Sequence, residues 1–404
     1  MNENDLMGLI KKLSSFGETT DKGVTRVLYD DNWIAAQKWL EEEFQSRGLN
    51  SYYDEVGNLY GRLEGEDSGN TVLTGSHVDT VVSGGQLDGQ YGIIAGLVAI
   101  EYLKNKFGKP KKNIEVVSMV EEEGSRFPYT FWGSKNIIGK VKEEDVKDLV
   151  DKDGISLSDA MKSAGFKFKE KEEMRSDISA FVELHIEQGG VLEIEEKSIG
   201  IVEHIVGQNR FLVEVVGEAN HAGTTPMGYR RDAMHGACKM VTKIMDLAIE
   251  YGDPLVATVG KVEVVPNTSN VVPGKVIFSI DVRHTQKDVS DNYIKEMVAG
   301  LREIAEKMNL EIVIDNYMNG IPVSMDKDLV SAIKRKCEEK KLNYKMMHSG
   351  AGHDAQIFAP KVPTALIFVP SHKGISHNPL EFTDPKDLLE GVKALAETLH
   401  ELAY

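Results

Sequence analysis

A chain of 404 residues with 41% hydrophobic side chains and 37 glycines has the length of two or three domains at roughly 150 residues each, and the composition of a folded globular protein. Lysine and arginine total 47 against 64 for aspartate and glutamate, a net charge of −17. That sign is opposite to the footprint of a nucleic-acid or anionic-membrane binder, so neither partner is expected.

The opening MNENDLMGLIKKL carries acids where an export signal carries positive charge. No apolar stretch approaches the roughly 18 residues of a membrane span. The two cysteines, Cys238 and Cys337, make neither a disulfide framework nor a metal motif, and a cytoplasmic protein is expected. Trp33, Ala36, Trp39, Leu40 and Phe44 recur at helical spacing and predict an amphipathic helix over 31–47. Strands follow at 51–56, 58–63 and 71–74, then a glycine-rich loop, a helix over 91–106 and a buried strand at 114–120. Strand, helix, strand in that order is a crossover unit of a mostly parallel sheet.

Residues 141–173 are charged and read as helical, and 180–184 as a strand. A different pattern then begins: strand 210–216, helix 230–251, strands 254–265 and 275–283, helix 286–309 and strand 311–314. Four strands and two helices make a self-sufficient α+β domain. The first style returns with a helix at 327–340, a strand at 364–369 and a helix at 385–402. The expected fold is α/β: a mixed, mostly parallel sheet covered by helices, formed by 1–207 and 321–404, with an α+β domain inserted over 208–320.

Ligands of open α/β sheets gather at the carboxyl ends of strands. Here 71–74 runs into His77 and Asp79, and 114–120 into Glu121, Glu122 and Glu123. Strand 180–184 runs into His185 and Glu187, and 364–369 into His372 and His377, while LDGQYG adds Asp88 after the first strand. Each piece alone is weak, because an acidic triplet is usually a solvated face and a lone histidine usually a packed one. Four such strand ends together point to a metal site, since buried carboxylates and imidazoles must be paired or ligated. Histidine and carboxylate without cysteine suit Zn²⁺ or Mn²⁺. Two ions are expected because an aspartate can bridge them. Asp79, two residues after His77, is expected to fix the imidazole tautomer.

GSHVDTV, LDGQYG, EEEGSRFPYTFWGS, ELHIEQG, ANHAGTTPMGYRRDA, PNTSNVVPGKVIFSIDVRH, SGAGHDAQIFAP and GISHNP together resemble the amidohydrolase branch of the dinuclear-metal peptidase clan. That branch holds allantoate amidohydrolases, N-carbamoyl-L-amino acid hydrolases and ureidoglycolate hydrolases. The motifs run in family order from His77 to Pro379. The resemblance implies His77 and His185 on one metal, Glu123 and His377 on the other, Asp88 as the bridge and Glu122 as general base. It further implies His221 as oxyanion donor, Arg283 as the fork for a substrate carboxylate, and Gln208 and Asn270 as amides for a ureido group. His353 is expected at the substrate's polar end.

Blander readings stand beside these: a turn residue for Asn270, a salt bridge for Arg283, a capping or core role for His353, and packing for Glu121. The implied activity is hydrolysis of a carbamoyl C–N bond in a small ureido-carboxylate. The motif flanks favour allantoate over N-carbamoyl-L-amino acids or ureidoglycolate, in a homodimer formed through the inserted lid domain. The rivals are a peptidase of the same clan and a non-catalytic metal-binding protein.

Overall fold

The computed structural model describes residues 1–171 and 173–404. Within them the chain divides into two compact units, Met1–Glu203 with Ser324–Tyr404, and His204–Val323.

The larger unit is built on a sheet whose centre is parallel, as expected. Asp67–His77 lies between Lys112–Met119 and Ile178–Ile186, and Ile178–Ile186 pairs in turn with Thr364–Val369. Antiparallel strands flank this core, Leu59–Leu63 and Asn50–Tyr53 on one side and Ile199–Ile205 on the other. Every residue of Thr364–Val369 is buried, which is why it reads as an unbroken apolar run and not as an alternation. The helix Gln90–Phe107 buries Ile93, Ile94, Leu97, Val98, Ile100 and Leu103, the all-round apolar pattern of a core helix. It packs on the closing helix Pro385–Ala403, and Tyr91 Oη donates to Leu388 O at 2.6 Å.

The smaller unit is an antiparallel sheet in the order Val262–Val265, Lys275–His284, Gly207–Val216, Glu311–Asn319. Lys275–His284 alternates buried and half-buried positions throughout. Its buried set, Val276, Phe278, Ile280 and Val282, forms one core with Met240 and Ile244 of the helix Ala233–Tyr251 and with Tyr293, Met297 and Leu301 of Lys287–Lys307. This is the pattern of a sheet with helices on one face.

Several expectations are corrected. Residues 141–173 hold only two short helices among the described residues, Glu143–Val146 and Leu157–Ser163. Asp151 accepts the amides of Asp153 and Ile155, and Gly154 and Gly165 take positive φ, so turn chemistry overrides the charged pattern. Residue 172 of that span lies outside the described residues. The single strand expected over 254–265 is two, Val256–Thr258 and Val262–Val265, both paired to Lys275–His284. Between the pairs Thr258↔Asp281 and Val262↔Phe278 the edge carries one residue more than its partner, a bulge at Gly260. The helix Glu3–Ser14 and the strands Ile199–Ile205 and Tyr344–Ser349 had no counterpart in the sequence reading.

No helix among the described residues is long and apolar enough to cross a membrane. Cys238 is exposed and Cys337 is buried, where burial pushes its thiol up to about 12. Iodoacetamide is therefore expected to modify one cysteine in the native protein and two after denaturation, as read by mass spectrometry.

Candidate metal centre

The four parallel strands converge on one edge of the sheet. His77 is the last residue of Asp67–His77, and Lys112–Met119 runs directly into Glu121–Glu123. His185 is the penultimate residue of Ile178–Ile186, and Thr364–Val369 leads to the loop of His377. Asp88 stands just before the helix Gln90–Phe107. These residues form three overlapping groups: His77, Asp88 and His185; His77, Glu122 and Glu123; Asp88, Glu123 and His377. In each group the candidate ligand atoms lie within 4.8 Å of one another.

Asp88 joins two of the groups through its two oxygens. Oδ1 is 3.4 Å from His77 Nε2 and 3.2 Å from His185 Nε2, whereas Oδ2 is 3.3 Å from His377 Nε2. His377 Nε2 is also 3.1 Å from Glu123 Oε1.

The imidazoles are held in the form that a metal requires. His77 Nδ1 lies 2.9 Å from Asp79 O, and His185 Nδ1 lies 2.9 Å from Ile186 O. A carbonyl only accepts, so each Nδ1 carries its hydrogen and each Nε2 is left as the ligating atom. Gly89, at φ +65°, passes so close that a Cβ there would sit 2.4 Å from His77 Cε1, and only glycine fits. Its N–H is 3.0 Å from His185 Nε2, so ligation at that atom takes a small shift of the amide.

The field of the cluster calls for cations. Burial raises the Glu122 carboxyl well above its usual range; His77 opposes that shift, while Glu123, Asp354 and Asp79 add to it. For His77, burial disfavours the charge, but Asp88, Glu122 and Asp79 outweigh it and push its pKa well above the ordinary value. His377 is pushed up to about 10 by Asp88 and Glu123. Divalent ions would offset the mutual repulsion of nearly buried carboxylates this close to one another. The donor set and its geometry support a dinuclear metal centre.

Asp79 reaches the centre differently from the expectation. Its carboxylate is 3.8 Å from His77 Nδ1 and instead accepts the N–H of Glu122 and of Glu123, each at 3.1 Å. The ring is oriented by the Asp79 backbone carbonyl, while the carboxylate braces the loop that carries the two glutamates. Glu121 has a packing role. Its Oε1 accepts the amides of Arg126 and Phe127, and burial raises its carboxyl to about 8.

His353 directly precedes Asp354, the N-cap of the short helix Ala355–Phe358, and its carbonyl accepts the N–H of Gln356. It is buried, 3.1 Å from Ser349 Oγ and edge-on to His185 with ring centroids 4.6 Å apart. Burial and His185 keep it neutral. That places it against a candidate ligand, in the core role that stood beside the substrate role.

Three groups at the centre went unread in the sequence. Gln188 Nε2 and Ser376 Oγ each lie 2.7 Å from Asp88 Oδ2, and Glu381 accepts the amides of Leu87 and Asp88. For Gln188 the signal was present, one residue beyond the Glu187 already singled out. Glu187 itself caps the turn at Val191 and Leu192.

In the smaller unit the remaining candidates fall into two pairs. Gln208 and Arg283 are cross-strand partners. Arg283 meets Asp281 through Nε at 3.0 Å and Nη2 at 3.1 Å, and Arg210 meets the same carboxylate. The second pair lies on the ribbon Asn220–His221 with Val271–Val272, where Ala222 N–H donates to Asn270 O at 3.0 Å. His221 is exposed, and its Nδ1 accepts the amides of Gly223 and Thr224 at 3.0 and 3.1 Å. Its hydrogen therefore sits on Nε2.

Residues 73–401 match the description of peptidase family M20/M25/M40. The chain is 53% identical over 394 residues to a protein of Escherichia coli (strain K12) named allantoate amidohydrolase, covering 97% of this chain and 96% of that one. It is 44% identical to the protein of the same name from Bacillus subtilis (strain 168), covering 100% and 98%. Among solved structures, an amidase of the hydantoinase/carbamoylase family from Burkholderia multivorans superposes with a TM-score of 0.94 at 32% identity, over 100% of this chain and 98% of that one. Matched from the first ligand strand to the closing helix, the chain belongs to peptidase family M20/M25/M40.

Proposed function

We propose that this chain is a metal-dependent amidohydrolase that hydrolyses one ureido group of allantoate with one water: one C–N bond is hydrolysed, the carbamate left behind breaks its second C–N bond as it loses carbon dioxide, and ureidoglycine and ammonia are released. The observation that carries the reading is the nearly buried Glu122 carboxyl within a three-histidine cluster in which His77 and His185 are turned to ligate through Nε2. The full-length identity to the two bacterial allantoate amidohydrolases supports the substrate.

His77, Asp88 and His185 would hold one ion, and Asp88, Glu123 and His377 the other. Mn²⁺ or Zn²⁺ suits this nitrogen and oxygen set. The pair of ions, when bound, acidifies water and polarises the carbonyl. Glu122 takes the proton from the attacking water and returns it to the departing nitrogen. The family resemblance assigns His221 the role of donor to the oxyanion. The same resemblance assigns Arg283, whose guanidinium would leave Asp281 to do so, to the substrate carboxylate with Gln208 beside it, and Asn270 to the ureido group. Tyr229 and Met227, exposed at 84% and 71%, support association of two copies through the smaller unit. Free cysteines suit a cytoplasmic setting.

The test is ammonia release from allantoate, ureidoglycolate and several N-carbamoyl-L-amino acids, after chelation and re-addition of Mn²⁺ or Zn²⁺. Allantoate is expected to be fastest and chelation to abolish turnover. A preference for a carbamoyl amino acid overturns the substrate alone, and metal-independent turnover overturns the whole reading. Glu122→Gln is expected to keep both ions and lose roughly 10²–10⁴ in kcat.

A further inference from the structure

Outside the ligand set, one carboxyl ties together two segments of the centre that are far apart in sequence. Glu381 is buried at 8% exposure. Its Oε1 accepts the N–H of Leu87 at 2.7 Å and of Asp88 at 3.1 Å. Its Oε2 lies 2.9 Å from Ser376 Oγ, and that hydroxyl is 2.7 Å from Asp88 Oδ2. The Glu381 N–H turns back to Asn378 O at 2.9 Å, closing the loop that carries His377. Gly85 leaves room for the carboxyl, since a Cβ there would lie 2.0 Å from Glu381 Oε1.

We infer that Glu381, acting through Ser376, is a positioning residue that sets the distance between Asp88 and His377 and so builds the second ion's site. The inference rests on the metal-centre reading above. The two ion sites differ in how they are supported. His77 and His185 stand on central strands of the sheet, whose ladder holds them whatever happens at Glu381. His377 stands on a loop at φ +54°, and the Glu381–Ser376 pair joins that loop to the loop of Asp88. A charge-assisted bond of this kind restricts the carboxylate to the rotamer that divides its oxygens between the two groups.

The experiment is calorimetric titration of the chelated full-length protein with Mn²⁺. Wild type is expected to take two ions, and His377→Ala, which removes a ligand, marks the affinity of the site that remains. Glu381→Ala is expected to weaken the second ion by about 10–100-fold, the usual effect of removing a group behind a ligand, and the first ion less. Ser376→Ala removes only the connecting hydroxyl and is expected to weaken the same ion about tenfold, which keeps the test open should the Glu381→Ala chain fold poorly. Glu381→Gln is the rescue: its amide oxygen still accepts the two backbone N–H groups and its NH₂ still reaches Ser376, so binding should stay near wild type. Turnover of Glu381→Ala should recover with excess Mn²⁺, as expected of a residue that positions and does no chemistry.

Equal weakening of both ions in Glu381→Ala and Ser376→Ala, or two wild-type affinities in each, overturns the inference, as does a Glu381→Gln chain that binds no better than Glu381→Ala. Fewer than two ions on wild type overturns it together with the metal-centre reading, a result distinguishable from the others because it appears before any substitution.

Discussion

Asp88→Ala is expected to empty both metal positions and to lower turnover by roughly 10³-fold or more, because several kcal/mol of transition-state stabilisation by the ions goes with them. Among the described residues, the Asp88 carboxylate is the one that meets three imidazoles. Oδ1 faces His77 and His185, and Oδ2 faces His377. Burial works against ionisation of this carboxyl, but the His185, His377 and His77 rings outweigh it and hold its pKa well below the usual range, so it is poised as an anion. Asp88→Asn retains the shape and one oxygen. It should keep an ion on one side only, since an amide nitrogen is not a ligand for these metals. Metal content after gel filtration, read beside kcat, separates these outcomes. An Asp88→Ala chain that retains two ions would remove Asp88 from the bridging position.

The second large effect concerns stability. Arg26 is fully buried, with the charges of Asp79 and Asp30 near enough to favour its ionised form. Its guanidinium donates to Val78 O at 2.6 Å, Leu13 O at 2.9 Å, Phe16 O at 3.1 Å and Gln90 Oε1 at 2.7 Å. Burial lowers its pKa to about 10, which leaves it charged at neutral pH. Arg26→Met would fill much of the volume but orphan those acceptors together, and a loss of about 3–5 kcal/mol is expected, as for other broken buried charge networks. Arg26→Lys should recover only part, because an ammonium cannot span the same acceptors.

Trp33, Trp39 and Trp132 are the three tryptophans of the chain, and all lie in the larger unit. Urea unfolding followed by their fluorescence therefore reports the unit in which Arg26 acts. A shift within about 1 kcal/mol of wild type would put Arg26 among the substitutions that merely touch the surface. Val78 and Gln90 stand next to His77 and close to Asp88, so reduced metal affinity should accompany the loss.

How far these features can be read before folding depends on the range of the interaction. His77, Glu122, Glu123 and His185 were legible because each follows an apolar run that only a buried strand explains, and strand ends are where such sheets place chemistry. Asp79 was legible as a residue of the site but not in its contact. Spacing along the chain suggested the imidazole two residues away, while the fold brought the amides of Glu122 and Glu123 to its carboxylate. For His353 the chain left a substrate role and a core role open, and only the fold shows His185, Phe368 and Ser349 packed around it. Ser376, Glu381 and Arg26 were unreadable because the contacts that give them their roles are distant in sequence: Asp88 for Ser376, the amides of Leu87 and Asp88 for Glu381, and Val78 O and Gln90 for Arg26.

The amino-acid order by itself determined the α/β class, the separate patterns of the two units and the identity of the candidate ligands, because these follow from local apolar periodicity and from residue chemistry. Tertiary structure alone decided which Asp88 oxygen faces which imidazole, which atom of each histidine is free to ligate, and which buried groups hold the ligand loops in register. Those depend on distances between strands and loops that become neighbours only when the sheet assembles.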